Sequence, residues 1–468
     1  MHTNRSASLV MDTEQMKLDC GDMRLNRAGQ DLHAAMVEHQ SVCLRRLGQG
    51  RSQEVRYGRV LRNKRVTVQK LIEGACQGIG ERSAQRHVLL IQDTSELNYQ
   101  AHAQRVKGLG TVGNGVDIGM FIHPVLAVDA QDGACLGLAH LHLWQRTRKK
   151  AANYRQLPIQ DKESVRWIES IEQARQRLGQ AGQMTVVADR ESDIYEMWER
   201  LPDARTHLLV RACRDRAVEH TGDGTLFQWL QGQPEQGRYE LRLQAVAGRR
   251  SAHSALMQVR FSPVRIKRPR HGAHKQGAPS VALWAIEVKE DASTVVGKQA
   301  PIHWRLLTTH AIGDMADALR CVHWYCQRWH IEQTFRTLKL QGLDVESSLL
   351  EQAPRLEKLT VLAMSAAVQT MQLTLARQGK SQRPATDCFA AHEHALLGQV
   401  GQSLEGKTLK QKNPHAPCSL AWAAWIVARL GGWKGYASER PPGPITMLHG
   451  LQALANIRRG WALARAPA

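Results

Sequence analysis

The first 85 residues read as helical, with apolar positions spaced for helix faces and basic residues filling the intervals: Arg45, Arg46, Arg51, Arg56, Arg59, Arg62, Lys64 and Arg65. Gly48, Gly50 and Gly58 are expected to break these helices. At His87 the period changes. HVLLIQD (87–93) is a short apolar run ending in a carboxylate, the pattern of a buried strand. GMFIHPVLAVD (119–129) and ACLGLAHLHLW (134–144) follow, the last two separated by Ala130-Gln131-Asp132-Gly133, so an antiparallel meander is expected.

DKESVRWIESIEQARQRLG (161–179) places Val165, Ile168 and Ile171 on one helical side, with Gly179 as a stop. MTVVAD (184–189) is a second apolar strand ending in Asp, SDIYEMWERL a helix and THLLVR a further strand. This order predicts a mixed α/β sheet, with Asp93 and Asp189 at the C-terminal ends of two strands, where open α/β sheets bind ligands. Residues 215–300 read as a β-rich insertion, because RYELRLQAV, ALMQVRFS and SVALWAIEVKE alternate apolar and polar positions. RIKRPRHGAHK (265–275) is expected to be a basic loop, either solvated or against a DNA backbone. PIHWRLLTT returns to strand pattern. Beyond it, 354–378, SLAWAAWIVARLGG and ITMLHGLQALANI read as amphipathic helices, around a Gln-, Gly- and Pro-containing stretch at 379–418 with Lys407, Lys410 and Lys412.

Composition narrows the function. The chain has 468 residues, 63 Lys plus Arg against 43 Asp plus Glu, and a formal net charge of +20. That imbalance points to a polyanionic partner, nucleic acid before membrane. No uninterrupted apolar run nears about 18 residues, so no membrane-spanning helix is expected. MHTNRSASLVMDTEQ carries acids early and lacks the apolar core of a secretory signal. Nine cysteines stand singly without a CxxC pair, as expected of reduced, buried thiols. His140 and His142 alternate on one strand face without a third ligand, no G-x-S-x-G elbow occurs, and GLGTVGNG (108–115) lacks the Lys-Ser/Thr ending of a phosphate-binding loop.

The densest chemistry lies in CVHWYCQRWHIEQTFRTLKLQ (321–341). On one unbroken helix, Tyr325, Arg328, Glu332, Arg336 and Lys339 would share a stripe about 80° wide. One carboxylate among cations suits a divalent metal beside a phosphate backbone; a solvated basic face is the other reading. With Asp93 and Asp189, Glu332 completes three carboxylates. Phosphodiester cleavage requires stabilisation of the attacking and leaving oxygens, which two Mg²⁺ ions provide, and three acids without Cys or His suit that ion.

IQDTSELNY, with Asp93 and Thr94, and VVADRESDIY, with Asp189, Arg190, Glu191 and Asp193, resemble two blocks of the DDE transposases of the bacterial insertion-sequence-four family. Tyr325, Arg328, Glu332 and Lys339 match that family's Y-x2-R-x3-E-x6-K signature. WRLLTT, LAWAAWIVARLGG and the Arg24-Leu25 region of GDMRLNR are also similar to family segments, whereas Ser347 and Ser348 stand in a stretch expected to be arginine-rich. The resemblance implies an RNase H-like core at 81–375, a helical DNA-end-binding domain at 1–80 and a helical dimerisation domain at 376–468. It implies that Asp93, Asp189 and Glu332 hold Mg²⁺, with Mn²⁺ as the alternative ion. Tyr325, Arg328 and Lys339, helped by Arg336, would grip phosphates; Arg211 would contact the transposon end, and Trp304 would stack on a flipped base. A cytoplasmic, nucleoid-associated homodimer acting on double-stranded DNA through a hairpin intermediate is the implied function. A regulator that has lost catalysis and an RNase H-like nuclease are the competing readings.

Overall fold

The computed structural model describes residues 16–146, 153–219, 224–243, 245, 251–270, 277–297, 299–340, 342–436 and 439–464. The opening MHTNRSASLVMDTEQ and residues 271–275 of the basic loop lie outside them. Five helices come first: α1 (Met23–His39), α2 (Leu44–Leu47), α3 (Arg51–Arg62), α4 (Val68–Ala75) and α5 (Ile79–Ser83). They are followed by β1 (His87–Gln92), β2 (Ser95–Asn98), β3 (Gly110–Thr111), β4 (Ile118–Asp129) and β5 (Cys135–Trp144). Then α6 (Arg166–Arg177), β6 (Gln183–Ala188), α7 (Tyr195–Arg200) and β7 (Thr206–Arg211) alternate. A short helix, α8 (Leu226–Gln231), precedes β8 (Gly237–Leu243), β9 (His253–Lys267), β10 (Ser280–Glu290) and β11 (His303–Thr308). The remainder is helical: α9 (Met315–Cys326), α10 (Trp329–Lys339), α11 (Ala353–Ala376), α12 (His394–Leu404), α13 (Leu420–Leu430) and α14 (Pro444–Ala464).

The described residues of 84–93 and 150–329 form one compact unit, those of 1–83, 94–149 and 330–468 another. The first is built on a mixed sheet in the order β1-β6-β7-β11-β10-β9-β8. β1, β6 and β7 run parallel, and their apolar runs are buried almost throughout, as strands covered on both faces require. β11 pairs antiparallel with β7 and passes the ladder to β10 and β9, so the strands between 237 and 290 continue the same sheet. Arg265–Lys267, expected in a loop, form the end of β9 and pair with Ser280–Ala282 of β10.

The second unit centres on α11, which packs against α1, α4, α13, α14 and β5. α11 is long and apolar enough to cross a membrane by length and hydropathy, unlike the sequence expectation, yet 94% of its most apolar window is buried inside the protein. It also departs from the expected amphipathic pattern, because its polar residues are buried with partners. Gln369 Nε2 donates to the Cys388 carbonyl, Thr374 Oγ1 to the Thr370 carbonyl, and Lys358 Nζ to the carbonyls of Leu61 and Asn63. α13 is likewise buried from Leu420 to Ala428, although read as amphipathic. A Cβ at Gly450 would collide with the Val427 carbonyl and one at Gly431 with that of Thr446, so α13 and α14 meet backbone to backbone. Gly58 lies inside α3 instead of breaking it. β4 and β5 form the expected hairpin, but 93–117 carries β2 and β3 where a short turn was expected. α12 occupies part of 379–418. All nine cysteines are unpaired, with Cys213, Cys326 and Cys418 exposed against expectation.

Leu362 is fully buried on α11, whereas Leu409 is 87% exposed. Leu362→Ala is expected to lower stability by about 2–5 kcal/mol, and Leu409→Ala by less than about 0.5 kcal/mol. Urea unfolding of the two variants checks the contrast.

Candidate active site at the parallel strand ends

Three parallel strands set the geometry of the first unit. Ile91 of β1 pairs with Val187 of β6, so Asp93 and Asp189, each two residues further, stand side by side. Ala188 pairs with Val210 of β7, which places Asp189 beside Arg211. Neighbouring strands lie about 4.8 Å apart, so the two acids and the arginine form one row at the C-terminal edge of the sheet. After Asp189 the chain turns at once: Asp189 Oδ1 accepts the Glu191 amide at 2.9 Å, and Ser192 Oγ donates to the Asp189 carbonyl.

Cations and aromatic rings gather around that row. Arg328 Nη1 lies 3.1 Å from Asp93 Oδ2. Arg211 Nη2 donates to the His303 carbonyl at 3.0 Å, and the Arg211 side chain also hydrogen-bonds Tyr325. Burial, reinforced by Arg190 and Arg328, pulls the Arg211 guanidinium below its ordinary range, against the pull of Tyr325. The Tyr325 phenol is buried, which raises its pKa; nearby Asp189 raises it further, while Arg328 and Arg211 oppose. Trp304, on β11, meets the Tyr325 ring edge-on at 6.0 Å between centroids. On either side of Trp304, His303 Nε2 and Arg305 Nε contact Glu287 Oε1 at 2.7 and 3.0 Å. That carboxylate is buried on β10, and the two contacts fix β11 around the tryptophan.

The expected continuous helix over 321–341 is interrupted. α9 ends at Cys326 and α10 begins at Trp329. The Gln327 and Arg328 amides donate three residues back, to the Trp324 and Tyr325 carbonyls, and this tightened turn ends the α-helical ladder. An angular projection from Tyr325 to Lys339 therefore does not apply across it. Within α10, Glu332, Arg336 and Lys339 keep helical spacing and share one face.

These three residues belong to the second unit. Arg336 is exposed and Glu332 half-buried. Lys339 Nζ lies 3.2 Å from Glu346 Oε1 and donates to the Glu96 carbonyl at 2.9 Å. Glu346 also accepts the Asn98 amide. Glu346 was missed in the sequence because nothing in its local spacing marks it as the partner of Lys339. Ser348 is buried, and Ser347 Oγ donates to the Asp344 carbonyl.

Among the described residues, no group of three or more His, Cys, Asp or Glu side chains is gathered as a metal cage. The adjacent carboxylates of Asp93 and Asp189 nevertheless supply the hard oxygen donors that a Mg²⁺-type ion prefers, and Asp93 already faces a cation in Arg328. By donor chemistry the pair fits such an ion.

Residues 160–368 match the family model of the transposase DDE domain. The matched stretch contains Asp189, Arg211, Trp304, Tyr325, Arg328, Glu332, Arg336 and Lys339, and Asp93 precedes it. The match supports a DDE transposase, an enzyme class that cuts DNA and transfers strands. The mixed α/β architecture with its large mixed sheet fits the RNase H-like core of that class.

Tyr325 gives a test of this environment. Its raised pKa means that the folded state holds the phenolic proton longer than the unfolded chain does. Stability linked to Tyr325 is therefore intact below the ordinary tyrosine pKa of about 10 and falls as pH rises beyond it. Ultraviolet difference titration of wild type against Tyr325→Phe should place the missing tyrosinate signal above pH 10; a signal at or below that pH contradicts the buried setting.

Proposed function

We propose that this chain is a cut-and-paste DNA transposase related to the insertion-sequence-four family. The observation that carries the reading is the in-register row of Asp93, Asp189 and Arg211, closed by Tyr325 and Arg328. Asp93, Asp189 and Glu332 would hold divalent metal ions, Mg²⁺ or Mn²⁺. Bound ions of this kind activate the attacking oxygen and neutralise the leaving one.

The remaining roles belong to side chains. Arg211 and Arg328 hold the phosphate at the cut, with Tyr325 donating from its protonated hydroxyl. Lys339 and Arg336 extend the grip along the backbone. Trp304, already against Tyr325, offers a face on which a base turned out of the duplex stacks, an interaction worth about 1–3 kcal/mol. A nick frees a 3′-hydroxyl; that hydroxyl attacks the opposite strand to give a hairpin, water opens the hairpin, and the freed 3′ end joins target DNA.

In this reading the basic helices of the domain at 1–80 read the transposon end. The enzyme works as a homodimer, each subunit binding one end and cutting the other. The helical domain at 376–468 would carry the dimer contacts, through surfaces other than the α13 residues Leu420–Ala428, which are buried within the chain itself. A cytoplasmic, nucleoid-associated location follows from the substrate.

Wild type with Mg²⁺ should nick DNA carrying its own transposon end. Glu332→Ala should bind the same DNA and nick it slower by on the order of 10³-fold. A wild type that binds ends and never cuts them defeats the proposal.

Salt reads the phosphate grip separately. With about 6–10 phosphates neutralised, affinity for DNA should fall about 10³–10⁵-fold between 50 and 200 mM salt. A flat response in fluorescence anisotropy speaks against the grip.

A further inference from the structure

Asp193 closes the block that begins at Asp189, yet none of the roles above uses it. Its side chain is only 1% exposed, and both of its oxygens accept hydrogen bonds. Oδ2 accepts the backbone amides of Cys213 and Arg214 at 2.9 and 3.0 Å. Oδ1 accepts Arg216 Nε at 2.9 Å and Nη2 at 2.7 Å, and the same Nη2 donates to the Asp193 carbonyl at 2.6 Å. Arg216 is itself buried, and its carbonyl accepts the Leu226 amide at the start of α8.

These bonds join two segments that matter to the row of acids. Asp193 ends the turn that follows Asp189, while Cys213 and Arg214 lie two and three residues beyond Arg211. We infer that Asp193 and Arg216 are positioning residues: their buried fork fixes the turn after Asp189 against the exit of β7, and so sets the placement of the Asp189 carboxylate relative to the Arg211 guanidinium. The inference rests on the transposase reading for its consequence and on geometry alone for the tie itself.

A second link in the same region is weaker. Arg166 Nη2 reaches Glu191 Oε2 at 3.2 Å, but Glu191 is 64% exposed, and exposed pairs are screened. The Asp193–Arg216 pair is shielded from water and saturated with hydrogen bonds, the condition under which a buried ion pair holds one geometry. Lysine cannot reproduce the fork, because it offers a point charge in place of two parallel N–H donors.

The test uses Arg216→Lys, with Arg216→Met beside it, in the full chain with end-containing DNA. For Arg216→Lys, single-turnover nicking in Mg²⁺ should fall about 10–100-fold while the Kd for end DNA stays within about threefold, because a small misplacement affects the reacting geometry and leaves the wider grip intact. Arg216→Met should be slower still, so that lysine recovers part of the rate. Hydrogen exchange of the amides reads the tie directly: segments 189–193 and 211–214 should loosen together in Arg216→Lys. Loosening confined to 214–216 overturns the tie, whether or not the wild type cuts DNA. If both segments loosen and the nicking rate stays within twofold of wild type, the positioning role is overturned. A rate that falls only in proportion to the folded fraction, measured by urea unfolding, overturns it too. Absence of nicking by wild type counts against the transposase reading alone, and the exchange result still decides the tie.

Discussion

The register of three parallel strands sets where Asp93, Asp189 and Arg211 stand relative to one another. A slip of one residue between β1 and β6 would turn Asp93 or Asp189 to the opposite face of the sheet. The register is held by packing: Val88–Ile91 and Val186–Ala188 are fully enclosed, and a slip would move every one of these side chains out of its fitted place in the core. At the start of the same strands, His87 and His310 both hydrogen-bond the Thr185 hydroxyl, so a polar pin at one end reinforces the alignment of acids at the other. Such strand ends suit chemistry because the backbone is rigid up to the last residue and the side chain emerges where the ladder stops.

Charge is distributed with the same economy. Arg328 answers Asp93, and Arg211 leans on Tyr325 and a carbonyl. In the other unit Lys339 answers Glu346. In the free protein, then, several cations read as phosphate-gripping are held at set positions by internal partners. Holding these side chains in place means that part of their rotamer entropy is already lost in the folded protein.

Much of this was visible in the chain. HVLLIQ, MTVVA and SVALWAIEVKE announce strands because their apolar content or alternation leaves no helical alternative, and the acids that end the first two were marked by position. The tightened turn at Gln327–Arg328 was hidden, since neither Gly nor Pro signals it. α11 misled for a different reason: Lys358, Gln369 and Thr374 are residue types expected at exposed positions, and only distant carbonyls or a turn of the helix itself explain their burial. Arg216 was unreadable as a partner of Asp193, because the bond depends on how two loops return to one place, a tertiary fact with no local period. The sheet continuation through β8–β10 was legible as β-structure but not as part of the same ladder, since strand order is set by pairing across long stretches of chain.

The second unit joins helices that lie far apart in sequence. Gln452 of α14 donates to the His39 carbonyl of α1, and Arg458 pairs with Glu38 and Glu393. In the first unit β7 waits for β11 across the whole of β8–β10. A chain growing from its N-terminal side therefore forms α1 long before α14 exists, and β7 long before β11. Both units thus close through contacts between segments far apart in sequence, and such folding is slow because loop-closure entropy is lost before those contacts form.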